Sequence, residues 1–226
     1  MARAFLILDL QLSVLFCSSL WLLGWGGPPF LNELKLNQLL SRNIFELDLA
    51  FDRAPSALLA DCKDLSAKLV LTKVETWENN LRNWIQYLRS DKSIFCPELI
   101  RIAPALSMGL KFTDDSTIKD LNNTWRQKPE KTDVLSFPAF DPNMIFQGNS
   151  SIELGDIIVS IPTAEQQSKD HDHSLENELR WLVSHGLLHL LGWEHSTPQK
   201  LKEMLSCQEQ LLSIDGSLRS NEETHS

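Results

Sequence analysis

Between Leu179 and Leu191 the chain is apolar almost all round a helical wheel, with Trp181, Leu182, Val183, Leu187, Leu188, Leu190 and Leu191 leaving no broad polar stripe. A helix without a wet face must be central, with other elements packed around it. Two histidines, His185 and His189, interrupt it one turn apart, so both rings fall on one face. A buried imidazole needs a polar partner, and leucines offer none. Gly192 follows. Glycine accepts the left-handed backbone found just past a helix C-terminus, so the chain can reverse there and return His195 to the first two rings. Three neutral imidazoles with one open position form the ligand set of a catalytic zinc centre, in which the ion acidifies a bound water. One Zn2+ per chain is the expectation from ligand type, although imidazoles also suit copper, nickel or iron.

The order His-x3-His-x5-His is also that of the metzincin proteases, whose motif carries glutamate directly after the first histidine. Gly186 stands there instead. That glutamate is the general base of a zinc protease, so a chain with the ligands and without the base is poorly equipped to hydrolyse peptides by that route.

The run from His185 through Gly186, Leu187, Leu188, His189, Leu190, Leu191, Gly192, Trp193 and Glu194 to His195 resembles the signature of the YbeY endoribonucleases, also called rRNA maturation factors. Trp193-Glu194 replaces the usual Tyr-Asp of that family, keeping one aromatic and one acid. Upstream, Leu121-Asn122 with Trp125-Arg126, then Thr132-Asp133-Val134-Leu135-Ser136-Phe137-Pro138, and Leu154-Gly155-Asp156-Ile157 resemble three further blocks of the same family. The likeness covers roughly residues 106–212, with a weaker trace back to Leu47. It implies single-strand-specific RNA cleavage with a zinc ion in the histidine site, acting in 16S ribosomal RNA 3′-end maturation and ribosome quality control. Ribosomal RNA and the small ribosomal subunit are the implied partners. Arg126 matches the family's functional arginine and is the candidate for neutralising a phosphate oxygen. Ser136 lies in a matching strand block, as a catalytic candidate or an ordinary structural hydroxyl. Two nucleophiles stay open, metal hydroxide and the RNA 2′-hydroxyl.

The formal net charge of −9 argues against a general nucleic-acid binder, because non-specific RNA affinity comes from phosphate neutralisation by Lys and Arg. Any RNA contact must be local. Arg126, Lys128 and Lys131, set against the single acid Glu130, make the best available basic patch. Cys17, Cys62, Cys96 and Cys207 are scattered without a Cys-x-x-Cys pair, which reads as buried free thiols in a reducing compartment.

At 226 residues the chain suits one domain with extra segments. Residues 1–45 form an N-terminal extension in which Leu12 to Gly26 carries no charge. That run is shorter than a bilayer span needs. A membrane anchor, a degenerate targeting segment and an extension outside the working protein all stay open, and the last is preferred because RNA substrates lie in the cytosol. The location expected is cytoplasmic, with no stable membrane partner. Residues 46–215 are read as the hydrolase domain and 216–226 as a disordered tail.

Within the domain, alternating Leu47, Leu49 and Phe51 predict a strand. Trp77, Leu81, Trp84, Ile85 and Leu88 recur at helical spacing, and Lys92 to Pro104 reads as a loop. A strand over Leu106–Phe112 leads to a helix capped by Asp115 or Ser116, with Ile118, Leu121, Asn122 and Trp125 on its inner face. Strands follow at Val134–Phe137 and Leu154–Ile161, separated by a polar connection over Pro142–Ser151. Thr163 and Gln166 suggest a capping box, and Asp170-His171-Asp172-His173 reads as solvated surface. Ser174 caps the histidine helix. A last helix after Thr197-Pro198 carries Leu201, Met204, Leu205, Gln208, Leu211 and Leu212 on one stripe. The fold class expected is α+β, a small mixed sheet of about four strands with helices packed on it. Two rival functions remain: a zinc hydrolase of another class, peptidase- or amidase-like, and a non-catalytic ribosome-associated factor.

Overall fold

The computed structural model describes residues 44–52, 58, 72–141 and 151–222, with side chains as far as Ile214. The apolar N-terminal run, Cys17, Cys62 and most of the connection after Pro142 lie outside the described residues. Four strands and six helices are described in the unit spanning residues 40–226. In chain order they are β1 (Ile44–Phe51), α1 (Val74–Ser90), α2 (Glu98–Ile102), β2 (Ala105–Thr113), α3 (Asp115–Arg126), β3 (Val134–Pro138), β4 (Ser151–Ser160), α4 (Ile161–Asp170), α5 (Leu175–Leu190) and α6 (Pro198–Glu222). The sheet order is β1-β2-β4-β3. β1, β2 and β4 run parallel and β3 pairs antiparallel to β4 at the edge, which makes this the expected α+β fold with a mixed sheet.

The period of apolar residues decides which face each element buries. Leu106, Met108, Leu110 and Phe112 of β2 alternate into the main core, where they meet Trp77, Leu81, Trp84, Ile85 and Leu88 of α1 and the apolar body of α5. Each such side chain contributes about 1.5–3 kcal/mol on burial. On the opposite face, α3 covers a smaller cluster of Ile118, Leu135 and Ile158. β4 reads as continuously apolar for a structural reason. Ser107 pairs with Glu153 while Gly109 pairs with Asp156, so β4 carries one extra residue, a bulge that swaps its alternation. Ile152 and Leu154 before the bulge and Ile157 and Val159 after it therefore all reach the same core.

Several local expectations need correction. The loop expected over Lys92–Pro104 contains α2, because two arginines lock it to the end of α1. Arg101 donates to the carbonyls of Leu88 (2.9 Å), Arg89 (2.7 Å), Asp91 (3.0 Å) and Ile94 (2.6 Å), while Arg89 donates to those of Arg101 (3.1 Å) and Ala103 (2.5 Å). These bonds satisfy carbonyls that a helix end leaves orphaned. Trp125 is not on the inner face of α3: it is 67% exposed. The α3 cap is Asp114, whose Oδ1 accepts from the Thr117 amide at 2.8 Å. Thr163 does not close a capping box, since α4 already begins at Ile161 and the Thr163 hydroxyl donates to Asp115. On α6, Met204, Cys207, Gln208 and Leu211 are buried, whereas Leu201 is exposed.

Asp115 is the polar hub that ties α3 to its neighbours. Its carboxylate accepts from Ser160 Oγ (2.5 Å), Thr163 Oγ1 (2.7 Å) and Lys131 Nζ (2.6 Å). Burial pushes this carboxyl up, and the bonds from Lys131, Ser160 and Thr163 together outweigh it and hold the group below its ordinary value. A carboxyl depressed by folding stabilises the native state in full above its unfolded pKa of about 3.9, and that contribution is lost as pH falls through the lower folded value. Asp115→Asn is expected to cost about 1–3 kcal/mol at neutral pH. Urea titrations at successive pH values should show the gap to wild type closing in acid, and a gap that stays constant there would reject the assignment.

Candidate metal centre

The last turn of α5 and the turn after it build the site. α5 starts where expected, with Ser174 Oγ accepting from the Asn177 amide, and its buried residues cover every side of the helix. It ends at Leu190, and Gly192 takes a φ of +88°, the left-handed conformation that reverses the chain. His195 is thereby carried back. Its ring centroid lies 5.6 Å from that of His185 and 5.1 Å from that of His189, which are themselves 4.7 Å apart. One nitrogen from each ring lies within 4.8 Å of the other two. His185 and His189 are half-buried and His195 is exposed, so the group opens to solvent on one side.

The hydrogen bonds around these rings decide which nitrogen carries the proton. His189 Nδ1 sits 2.9 Å from the carbonyl oxygen of Trp193. A carbonyl only accepts, so Nδ1 is the protonated nitrogen. His185 Nδ1 faces Gln208 Oε1 at 3.2 Å, and the Gln208 amide is oriented by donating from Nε2 to the Trp181 carbonyl at 2.8 Å. Here too Nδ1 donates. Burial, then the neighbouring rings and, at His189, the Arg126 charge keep both imidazoles below the ordinary histidine pKa and hence neutral. Two unprotonated Nε2 atoms are therefore left facing each other at 3.1 Å. Opposed lone pairs with no proton between them repel, and a shared cation removes the conflict. The donor set fits a metal ion of the zinc type on this observation, and His185, His189 and His195 are the residues that would hold it. Gln208 and the Trp193 carbonyl are the outer partners that fix ring orientation. Glu194, the acid beside His195, is exposed.

Gly186 explains the missing carboxylate. A Cβ built there would lie 2.9 Å from Ile157 Cγ2 and 3.1 Å from Ser136 Oγ, so α5 approaches β3 and β4 too closely for any side chain. Ser136 donates to the Gly186 carbonyl at 3.3 Å, and the geometry gives its hydroxyl a contact with the helix backbone between the two histidines. In an ordinary helix interior, glycine to alanine gains about 1 kcal/mol. Overpacking against fully buried Ile157 opposes this by about 1–3 kcal/mol. Gly186→Ala is thus expected to lower the thermal unfolding midpoint, and a more stable variant would contradict the close approach.

Arg126 ends α3, and its guanidinium is near enough to His189 to depress that ring's pKa. The loop after it is folded back and pinned. Gln127 takes a φ of +57°, Asn122 Nδ2 donates to the Glu130 carbonyl at 2.8 Å, and Lys131 is engaged by Asp115. Of the expected basic patch, Arg126 and Lys128 are exposed, while the ammonium of Lys131 is held in its ion pair. Trp125 adds an aromatic surface beside Arg126, its ring set edge-on to Phe137 at 5.9 Å and 68°. Sequence reasoning missed this, although a tryptophan at the last turn of a helix, next to a basic loop, was a legible signal.

Fold and site together define an α+β protein with a three-imidazole candidate metal centre at the edge of its sheet and an arginine beside it. The family model described as Endoribonuclease YbeY matches residues 68–214. The chain is 54% identical over 171 residues to an Endoribonuclease YbeY of Prochlorococcus marinus, covering 76% of this chain and 91% of that protein. It is 52% identical over 168 residues to an Endoribonuclease YbeY of a Synechococcus strain, covering 74% of this chain and 98% of that one. Among solved structures, a protein from Thermotoga maritima matches at 20% identity and a TM-score of 0.41, over 80% of this chain and 96% of that one. This chain belongs to the YbeY endoribonuclease family, hydrolases that act on RNA.

Proposed function

We propose that the chain is a single-strand-specific endoribonuclease that holds one zinc ion on His185, His189 and His195. In this reading it acts in ribosomal RNA maturation at the 16S 3′ end and in ribosome quality control, in the cytoplasm, with ribosomal RNA and the small subunit as partners. The observation that carries the metal reading is the pair of unprotonated Nε2 atoms of His185 and His189, 3.1 Å apart. A bound zinc ion supplies Lewis acidity and an acidified water.

The chain's own residues do the rest. Arg126, exposed at the end of α3, presents a planar fork of donors to a phosphate oxygen as charge develops. Trp125 offers a π-face to an unstacked base, a contact that requires single-stranded RNA. Lys128 supplies a further charge toward the backbone, while Ser136 positions α5 through the Gly186 carbonyl. With Gly186 excluding a side chain, no carboxylate stands in the place of the zinc-protease base, which supports RNA over peptide as substrate. Membrane attachment gains no support from the described residues, among which no helix is long and apolar enough to cross a bilayer.

The test compares zinc-loaded protein on single-stranded RNA, the same RNA annealed to its complement, and a peptide library. Cleavage confined to the single strand is the expected result. Peptide turnover with inert RNA would reject the proposal. For the ribosomal assignment, cells depleted of the protein should accumulate 3′-extended 16S precursor, and normal ends would remove that part.

A further inference from the structure

A second group of ligand-type side chains lies at the other end of α5. His171 and His173 flank the turn between α4 and α5, and Glu178 stands in the first turn of α5. His173 Nε2 is in close contact with Glu178 Oε2, and His171 Nδ1 lies 3.5 Å from the same oxygen. The two rings cross at 64° with centroids 5.6 Å apart. One donor atom from each of the three residues lies within 4.8 Å of the other two.

Glu178 is the informative member. Its side chain is 3% exposed, and among the described residues the two imidazoles are its carboxylate's side-chain partners. A buried carboxylate needs compensating charge. A single protonated histidine would provide it, and His173 already stands in contact. The second imidazole is then surplus. His171 is 61% exposed, and its approach at 3.5 Å is too long for a good hydrogen bond. The turn holds both rings toward one oxygen by placing Asp172, a non-glycine residue, at a φ of +55°. Two imidazoles and one carboxylate converging on a point, with solvent access past His171, match the His2Glu set that zinc uses when it keeps an open position.

We propose that His171, His173 and Glu178 form a second divalent-cation site, for zinc or a similar borderline transition-metal ion, at the turn between α4 and α5. Glu178 and His185 stand seven positions apart on α5, about 10 Å at a rise of 1.5 Å per residue. That is well beyond the roughly 3.5–4 Å of a paired-ion catalytic centre. The second ion therefore fixes the entry of α5 and leaves the chemistry at His185 untouched. It joins the α4–α5 turn to the helix that carries the first centre.

The test is metal stoichiometry on the full chain, by cobalt(II) titration and elemental analysis after zinc loading. Wild type is expected to bind two equivalents. His171→Ala, at an exposed position, should bind one and keep wild-type RNA cleavage. A His185→Ala/His189→Ala variant should also keep one, with its melting temperature still raised by zinc, and adding His171→Ala should abolish both. Wild type binding one equivalent that His171→Ala leaves in place would overturn the second site. One equivalent that disappears with His171→Ala would uphold it and remove the first centre instead.

Discussion

In a His171→Ala background, which leaves only the first centre, replacing His189 with alanine is expected to abolish metal binding and RNA cleavage together, while the metal-free protein stays folded. The ring contributes one of two Nε2 lone pairs facing each other at 3.1 Å, so without an ion it sits in a mildly repulsive contact. Deleting it costs the hydrogen bond to the Trp193 carbonyl, worth about 1 kcal/mol, and relieves that repulsion. The His171→Ala parent and the variant should therefore have similar stability in chelator. Zinc should separate them. A ligand that binds only the native state, present at a thousandfold over its dissociation constant, adds about 4 kcal/mol, and only the His171→Ala parent can collect that increment. Differential scanning calorimetry with and without zinc reads the effect directly. A variant still stabilised by zinc through the His185 and His195 pair would mean that His189 is a packing residue. Gln208→Ala is the graded control. It leaves all three rings and removes the acceptor that orients His185, so affinity should fall by about 10–100-fold without being lost.

Much of this site was legible in the sequence because local chemistry dictates it. Two histidines a turn apart in an all-apolar helix and a glycine at its end fix ring convergence without reference to the rest of the fold. Gly186 was legible as a missing base, but its cause was not. The clash with Ile157 and Ser136 depends on how closely α5 lies on β3 and β4, a tertiary quantity that no spacing encodes. Gln208 falls on the apolar stripe of α6, where a buried amide is an anomaly; its role depends on the packing of α6, which lays it against His185 and the Trp181 carbonyl. Trp125 was misplaced for a general reason. Helical periodicity gives the inward-facing angle, but at the last turn of α3 the ring meets only the edge of Phe137 and ends 67% exposed. The Asp-His-Asp-His run is exposed surface, as its sequence suggests; what its spacing does not show is the buried carboxylate of Glu178 from the next helix beside it.

Arg126→Ala is expected to leave metal content unchanged and to lower kcat on single-stranded RNA by about 100- to 1,000-fold, the cost of removing a preorganised donor aimed at developing charge. The variant should fold normally, since Arg126 is exposed and α3 is anchored elsewhere, by Ile118 in the smaller core and by Asn122 donating to the Glu130 carbonyl. Arg126→Lys separates charge from shape. A lysine keeps the positive field but loses the two-pronged geometry, so it should recover binding more than turnover, with KM near wild type and kcat still depressed. Lys128→Ala should do the reverse. Phosphate contacts that only position the strand weaken binding and flatten its salt dependence, by a slope of about 0.7 per contact on single-stranded RNA, without touching the chemical step. If Arg126→Ala instead raised KM alone and left kcat intact, the guanidinium would be a docking contact like Lys128. The effect on His189, whose pKa the Arg126 charge helps to depress, would then be incidental to catalysis.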